Sequence, residues 1–157
     1  MNKPIIYIDM DGVLADFSKA IKTHPMSNLK PYLKDPDNIP GVFENLELVI
    51  GAKEAIQKVH LSNTYEMFIL TTAPWENPSS WMHKRLWIER HFGAIFHKKM
   101  IIAHRKDLLV GDYLIDDRTA NGAGDFKGIH LHFGWDYIHQ QYNPYPNWES
   151  ILNYFDL

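Results

Sequence analysis

A single α/β domain built on a central parallel sheet is the fold class that this sequence predicts, and three observations predict it. Short apolar, β-branched runs recur at 4–8, 65–70, 99–103, 113–116 and 128–133, and such runs mark strands covered on both faces. Helical patterns lie near 16–23, 51–61, 79–92 and 148–155, and strands alternating with helices argue for crossover units. A chain of 157 residues can bury one real core but not two.

The first run, Ile5 to Ile8, ends in Asp9-Met10-Asp11-Gly12-Val13-Leu14-Ala15-Asp16. Two carboxylates two residues apart at the end of a buried strand repel each other and lose hydration. That arrangement is tolerated where the charges serve a cation or a reaction. A hard cation with oxygen ligands, most often Mg²⁺, neutralises such a site. An Asp-Gly turn after a strand is the alternative without chemistry. The stretch 24–50 carries Pro25, Pro31, Pro36, Pro40, Gly41 and scattered aromatics. It is too long for an ordinary connection, so it reads as a small functional insert or as a surface loop with a helical turn or two.

The run Met67 to Leu70 ends in Thr71-Thr72-Ala73-Pro74. The helix over 79–92 is expected to start at Ser79 or Ser80, whose hydroxyl caps a first turn. Trp81, Leu86 and Ile88 are placed on its core stripe, with Trp87 and His91 completing that face. After 99–103 come Arg105-Lys106, and Tyr113-Leu114-Ile115 then ends in Asp116-Asp117-Arg118. In an open parallel sheet the carboxyl ends of the strands share one edge, where ligands bind. Acid pair, hydroxyl, lysine and acid pair converging there make a Mg²⁺-assisted phosphate site. The glycine-punctuated loop 118–125 does not fit G-x-G-x-x-G, so dinucleotide binding has no support. His130 and His132 alternate along the last strand and read as ordinary sheet residues, and the nine histidines form no zinc-ligand spacing.

The composition, 45% hydrophobic and 22% charged, is that of an ordinary soluble globular protein. A net charge of −3 without any Lys/Arg block excludes a steering field for long nucleic acids. With no cysteine, disulfides and thiolate chemistry are excluded, which is compatible with a reducing cytoplasm. The N-terminus is not patterned as a signal peptide, and no run of 18 uncharged apolar residues occurs, so a cytoplasmic protein without a membrane span is expected.

On these residues the chain resembles the phosphohydrolases of the haloacid dehalogenase (HAD) superfamily. Asp9-x-Asp11-Gly12-Val13 matches their first motif, Thr71 the second, Lys106 the third and Asp116-Asp117 the fourth. The flanking residues Asp16-Phe17, Leu70-Thr71-Thr72-Ala73-Pro74 and Leu114-Ile115-Asp116-Asp117-Arg118 resemble more narrowly the 5′(3′)-deoxyribonucleotidases. The resemblance implies a Rossmann-like core spanning 1–157 as one domain, with a small helical cap inserted at about 18–50 after the first strand. It also implies Asp9 as nucleophile and Asp11 as general acid and base, giving an aspartyl-phosphate that water hydrolyses. Mg²⁺ would be held by Asp9, Asp116 and the Asp11 carbonyl, with Asp117 either binding through water or orienting the metal's shell. Asp11 argues against dehalogenating members, which lack that carboxylate.

Thr71, Thr72 and Lys106 are the candidate phosphate ligands. Arg105, Lys98 and Lys99 are substitutes for Lys106, and Arg118 is a competing partner for the acids. Phe17, Phe43 and Trp75 are candidate base-stacking residues, with plain hydrophobic packing as the alternative. The expected substrate is a small phosphomonoester, a nucleoside monophosphate, while another phosphorylated metabolite or a nucleic-acid 3′-phosphate end stays open. A phospho-accepting receiver module uses the same residue types, but in the order acid pair, phospho-acceptor aspartate, hydroxyl, lysine, whereas here a second acid pair, Asp116-Asp117, follows the lysine. An inert binding descendant would be told apart by a metal-dependent turnover assay.

Overall fold

A computed structural model describes residues 2–157. Five parallel strands, β1 (Ile5–Ile8), β2 (Glu66–Thr71), β3 (Met100–Ile102), β4 (Tyr113–Asp116) and β5 (Ile129–His132), lie in the order β3-β2-β1-β4-β5. Ile8 is in register with Ile69 on one side and Ile115 on the other. The strand order changes direction between β1 and β4, so the ends of these two strands flank a crevice at the topological switch point. Asp9 follows β1 and Asp116 ends β4, and the Asp9 amide donates to the Ile115 carbonyl at 2.9 Å.

The period of two along each strand explains why the runs looked continuously apolar. Ile6, Ile8, Ile69, Ile115 and Leu131 join buried residues of α2 (Ala52–Ser62), α3 (Ser79–Phe92) and α4 (Trp148–Tyr154) in the main core. On the other face Tyr7, Leu70 and Leu114 meet Ala123 and Phe126. Among the described residues no helix is long and apolar enough to cross a membrane.

The segment between β1 and α2 opens with α1 (Phe17–Thr23), where the Asp16 side chain accepts from the Lys19 amide at 2.9 Å. Two single turns of 3-10 helix follow, Lys30–Tyr32 and Pro36–Asn38. The segment leaves and returns through a short stem: Ala15 bridges Leu48 in antiparallel sense. The Asp16 amide donates to the Glu47 carbonyl and that of Val49 to Leu14, both at 2.8 Å. Its second half is not a surface loop, because Ile39, Val42, Phe43 and Leu46 are buried in the main core. Asn77 Nδ2 fastens it by donating to the Asp37 and Ile39 carbonyls at 2.9 and 3.0 Å, and Trp87 Nε1 by donating to that of Leu46 at 2.8 Å.

Three details differ from the sequence expectations. Helix α3 has the expected span, but neither serine caps it. Ser79 Oγ donates to Asn77 Oδ1 and Ser80 Oγ to the Asn77 carbonyl, and Pro78 is the residue before the first turn. The buried stripe of α3 is Ser80, Lys84, Trp87, Ile88 and Phe92, while Leu86 is exposed and Trp81 only half-buried. Finally, β6 (Trp135–Asp136) and β7 (Gln141–Tyr142) form an antiparallel hairpin that the pattern did not signal. Its turn is made by a side chain: Asp136 Oδ1 accepts from the Ile138 and His139 amides at 2.8 and 3.0 Å.

Candidate active site

The loop after β1 is a tight turn whose apolar residues are its anchors. Met10, Val13 and Leu14 are fully buried, and Trp148 Nε1 donates to the Val13 carbonyl at 2.9 Å. The Met10 carbonyl accepts from the amides of Leu14 and Ala15 at 2.8 and 2.9 Å, and the Gly12 amide donates to Ala15 at 2.8 Å. The Asp11 carbonyl takes no part in these bonds. Gly12 sits at φ +77°, and a Cβ there would collide with the Asp117 carboxylate, so only glycine lets the two acid loops close on each other.

Two of the acids expected at the site, Asp9 and Asp116, converge on the ammonium of a third expected residue, Lys106. Lys106 Nζ lies 3.0 Å from Asp9 Oδ1 and 2.5 Å from Asp116 Oδ2, and all three residues are buried. Carboxylate oxygens of Asp9, Asp116 and Asp117 all lie within 4.8 Å of one another. Arg105 points away and pairs with Asp107, and Lys99 pairs with Glu66, so neither competes with Lys106 for this position. Asp9, Asp11, Thr72, Lys106, Asp116 and Arg118 line one small cavity of about 10 Å³. Thr71 is fully buried, its carbonyl accepting from the Ala103 amide at 2.9 Å, and Thr72 Oγ1 donates to the Ala103 carbonyl at 2.7 Å. These bonds tie the loop after β2 to the loop that carries Lys106.

The electrostatics of the acids are dominated by burial. Burial and the Asp9 charge push the Asp116 carboxyl up to about 7 against the pull of Lys106. Burial, then Asp9 and Asp116, holds the Asp117 carboxyl well above the usual range. For Lys106, burial works against the charge, but Asp9 and Asp116 outweigh it and hold the ammonium protonated. Asp117 Oδ1 is buried and has no hydrogen-bond partner among the described residues. Three clustered carboxylates with one orphaned oxygen fit a hard divalent cation taking oxygen ligands.

One residue of this site was not anticipated. Lys84, on α3, is fully buried and ion-pairs with Asp11 Oδ2, with its ammonium 3.3 Å from Thr71 Oγ1. Burial raises the Asp11 carboxyl, Lys84 opposes that rise, and Asp9 adds to it. The signal was present in the sequence: a lysine four residues from both Ser80 and Ile88 occupies the apolar stripe of the helix. His130 and His132 are sheet residues as expected. Their Nε2 atoms lie 3.2 Å from the Asp116 carbonyl and 3.0 Å from that of Asp117.

Two of the three aromatics, Phe17 and Phe43, meet, and Trp75 stands apart from them. Phe43 is 1% exposed, its ring stacked on Phe17 with centroids 5.2 Å apart and the Lys84 ammonium 4.4 Å from its centre. Burial in the core leaves Phe43 no free face here, which favours the alternative of plain hydrophobic packing over base stacking. Phe17 is half-buried, and Trp75 is 74% exposed beside His104.

Comparison with known proteins gives consistent results. A family model described as 5′ nucleotidase, deoxy (Pyrimidine), cytosolic type C protein matches residues 26–153. The chain is 44% identical over 153 residues to a provisionally named 5′(3′)-deoxyribonucleotidase of Vibrio phage KVP40, covering 98% of this chain and 85% of that protein. It is 29% identical over 175 residues to the human cytosolic-type 5′(3′)-deoxyribonucleotidase, covering 94% and 78%. It is 26% identical over 170 residues to the Bacillus subtilis 5′(3′)-deoxyribonucleotidase, covering 95% and 96%. Among solved structures, the haloacid dehalogenase-like hydrolase SP0104 of Streptococcus pneumoniae aligns with a TM-score of 0.61 at 14% identity over 98% of both chains. The HAD-hydrolase YfnB of Bacillus subtilis, solved bound to magnesium, aligns with a TM-score of 0.59 at 13% identity over the whole of both. At such identities the likeness is one of fold.

Proposed function

The chain belongs to the type C family of 5′-nucleotidases, and on that premise we propose that it removes the phosphate from deoxyribonucleoside monophosphates through an aspartyl-phosphate on Asp9, with Mg²⁺ as its metal. The observation that carries the reading is the Lys106 ammonium set between Asp9 and Asp116, two acids that cluster with the Asp117 carboxylate.

In the first step an Asp9 oxygen attacks phosphorus and the bond to the nucleoside oxygen breaks. Asp11, whose proton is favoured by burial, delivers that proton to the departing alkoxide. In the second step Asp11, now a carboxylate beside Lys84, takes a proton from water as that water attacks phosphorus and frees Asp9. Lys106 balances negative charge on Asp9 and the phosphoryl group, and the Thr71 hydroxyl, the Thr72 backbone amide (its hydroxyl being spent on Ala103) and Arg118 supply donors to the phosphoryl oxygens. Asp9, Asp116 and the Asp11 carbonyl would hold Mg²⁺, with Asp117 through water, and the ion would shield the nucleophile from the anionic phosphate. The stem at Ala15 and Leu48 supports reading the insert of about 18–50 as a small cap, one that suits a small ligand better than a folded protein. Phe17 and Trp75 remain the aromatics with surface to offer a base.

Phosphate release over a panel of nucleoside monophosphates, sugar phosphates and phosphoserine, with and without Mg²⁺, tests this reading. A nucleoside monophosphate should lead by at least about tenfold in kcat/KM, equivalent to ~1.4 kcal/mol of transition-state binding. Asp9→Asn should lose turnover while staying folded; activity within tenfold of wild type overturns the mechanism, and a sugar phosphate at the top of the panel overturns the substrate.

A further inference from the structure

Asp116 is the last residue of β4, so Asp117 projects beyond the sheet, and among the described residues no backbone amide of a neighbouring strand holds its carbonyl. Two histidines reach this loop instead. His130 and His132 are two apart on β5 and so share one face; His132 is in register with Asp116, and the two rings lie 5.0 Å apart. His132 Nε2 donates to the Asp117 carbonyl at 3.0 Å and His130 Nε2 to the Asp116 carbonyl at 3.2 Å. A carbonyl can only accept, so both rings must carry their proton on Nε2. The Asp116 carbonyl also accepts from the Phe133 amide at 2.9 Å. The Asp117 carbonyl has its imidazole bond where the Asp116 carbonyl has a strand bond as well.

With both carbonyls drawn toward β5, the side chains of the two acids are left to point into the cluster with Asp9. The Asp117 carboxylate packs against Gly12 with one buried oxygen unpartnered among the described residues. The aim of that carboxylate therefore depends on its backbone. We propose that His132, supported by His130, is a positioning residue that holds the Asp116-Asp117 loop in the geometry that takes up the divalent cation. The inference rests on the metal assignment made above and extends it to residues that touch neither metal nor substrate.

The test is a calorimetric titration of the metal-free protein with Mg²⁺, with thermal unfolding measured alongside. His132→Phe keeps the ring's bulk and removes the donor, and it should weaken Mg²⁺ binding by about tenfold or more, the usual effect of losing a group that orients a metal ligand. His132→Gln places an amide N–H near the position of the lost Nε2 and should stay within about threefold of wild type. Should His132→Phe fail to fold, His132→Asn replaces it, since its amide falls one methylene short and should lose binding where Gln retains it. Wild-type affinity in the donor-less variant, or an equal loss in His132→Gln, overturns the proposal. Asp116→Asn must lose binding in the same titration. Wild-type affinity there refutes the metal assignment and this inference with it, whereas loss there with none in His132→Phe refutes only the role of the histidine.

Discussion

Replacing Asp116 by asparagine should make the metal-free protein progressively more stable, relative to wild type, as pH rises. The Asp116 carboxyl titrates near 3.8 in the unfolded chain but near 7 in the fold, because it is buried beside Asp9. Between these values the folded state holds a proton that the unfolded chain has released, so stability falls as pH rises. At about 1.4 kcal/mol per pH unit the loss reaches about 4 kcal/mol in full, of which about 3 kcal/mol falls between pH 5 and 8. Burial lowers His91 and His130 and gives an opposing slope, but those groups are common to both proteins and cancel in the comparison. Lys106 stays charged throughout, so its lost bond to Asp116 contributes a constant offset. For a chain of this length about 3 kcal/mol corresponds to roughly 6–12 °C in Tm. Thermal unfolding of both proteins in chelator at pH 5 and 8 reads it directly. The gap in Tm should move toward the variant by that amount, and saturating Mg²⁺ should restore the wild-type protein alone, since a ligand that binds only the folded state stabilises it. A gap that is the same at both pH values, or that moves toward wild type, refutes the reasoning.

Lys84→Met removes the cation beside a buried carboxylate, so the Asp11 carboxyl should rise further and the acid limb of the kcat profile move to higher pH, with turnover at pH 7 down at least a hundredfold or so; an unmoved limb counts against Lys84 acting on Asp11. Gly12→Ala combines about 1–2 kcal/mol for a left-handed alanine with a Cβ pressed on the Asp117 carboxylate. It should raise half-saturating Mg²⁺ far more than it lowers Tm, and an unchanged Mg²⁺ requirement contradicts the packing argument. Phe43→Ala should cost roughly 3–5 kcal/mol of stability. Phe17→Ala should mainly raise KM for a nucleoside monophosphate and spare p-nitrophenyl phosphate; exchanged phenotypes would show that Phe43, not Phe17, meets the base.

The central strands β1, β2 and β4 were legible because burial on both faces leaves a nearly unbroken apolar run, the edge strands β3 and β5 because shorter apolar runs recur between helical patterns, and the acid pairs because charges stop the central runs abruptly. The hairpin of β6 and β7 was not, since two residues a side carry no period and its turn is made by the Asp136 side chain rather than by glycine or asparagine. Phe43 could be assigned to the insert, but whether a ring in an irregular segment faces inward depends on bonds from Asn77 and Trp87, far along the chain. Lys84 was missed for a sharper reason. Treating lysine as a surface residue shifts the helical stripe onto Trp81 and Leu86, whereas the real stripe runs through the lysine because its partner, Asp11, lies 73 positions away.

That misplaced stripe also explains how the site sorts its charges. The two buried lysines serve different acids. Lys84 faces Asp11, the proton carrier of the proposed mechanism, and Lys106 faces Asp9 and Asp116. An ammonium beside Asp11 keeps its carboxyl from remaining protonated throughout the cycle, as the second step requires, while burial keeps the first step supplied. Asp117 has no lysine of its own. Its orphaned oxygen and strongly raised carboxyl are what a site shows when its missing positive charge is to come from outside the chain. A third buried lysine at that place would satisfy Asp117 permanently and leave nothing there for a divalent ion to bind. In the proposed mechanism the unpaired acid is thus the feature that would tie folding, metal uptake and phosphate chemistry to the same few side chains.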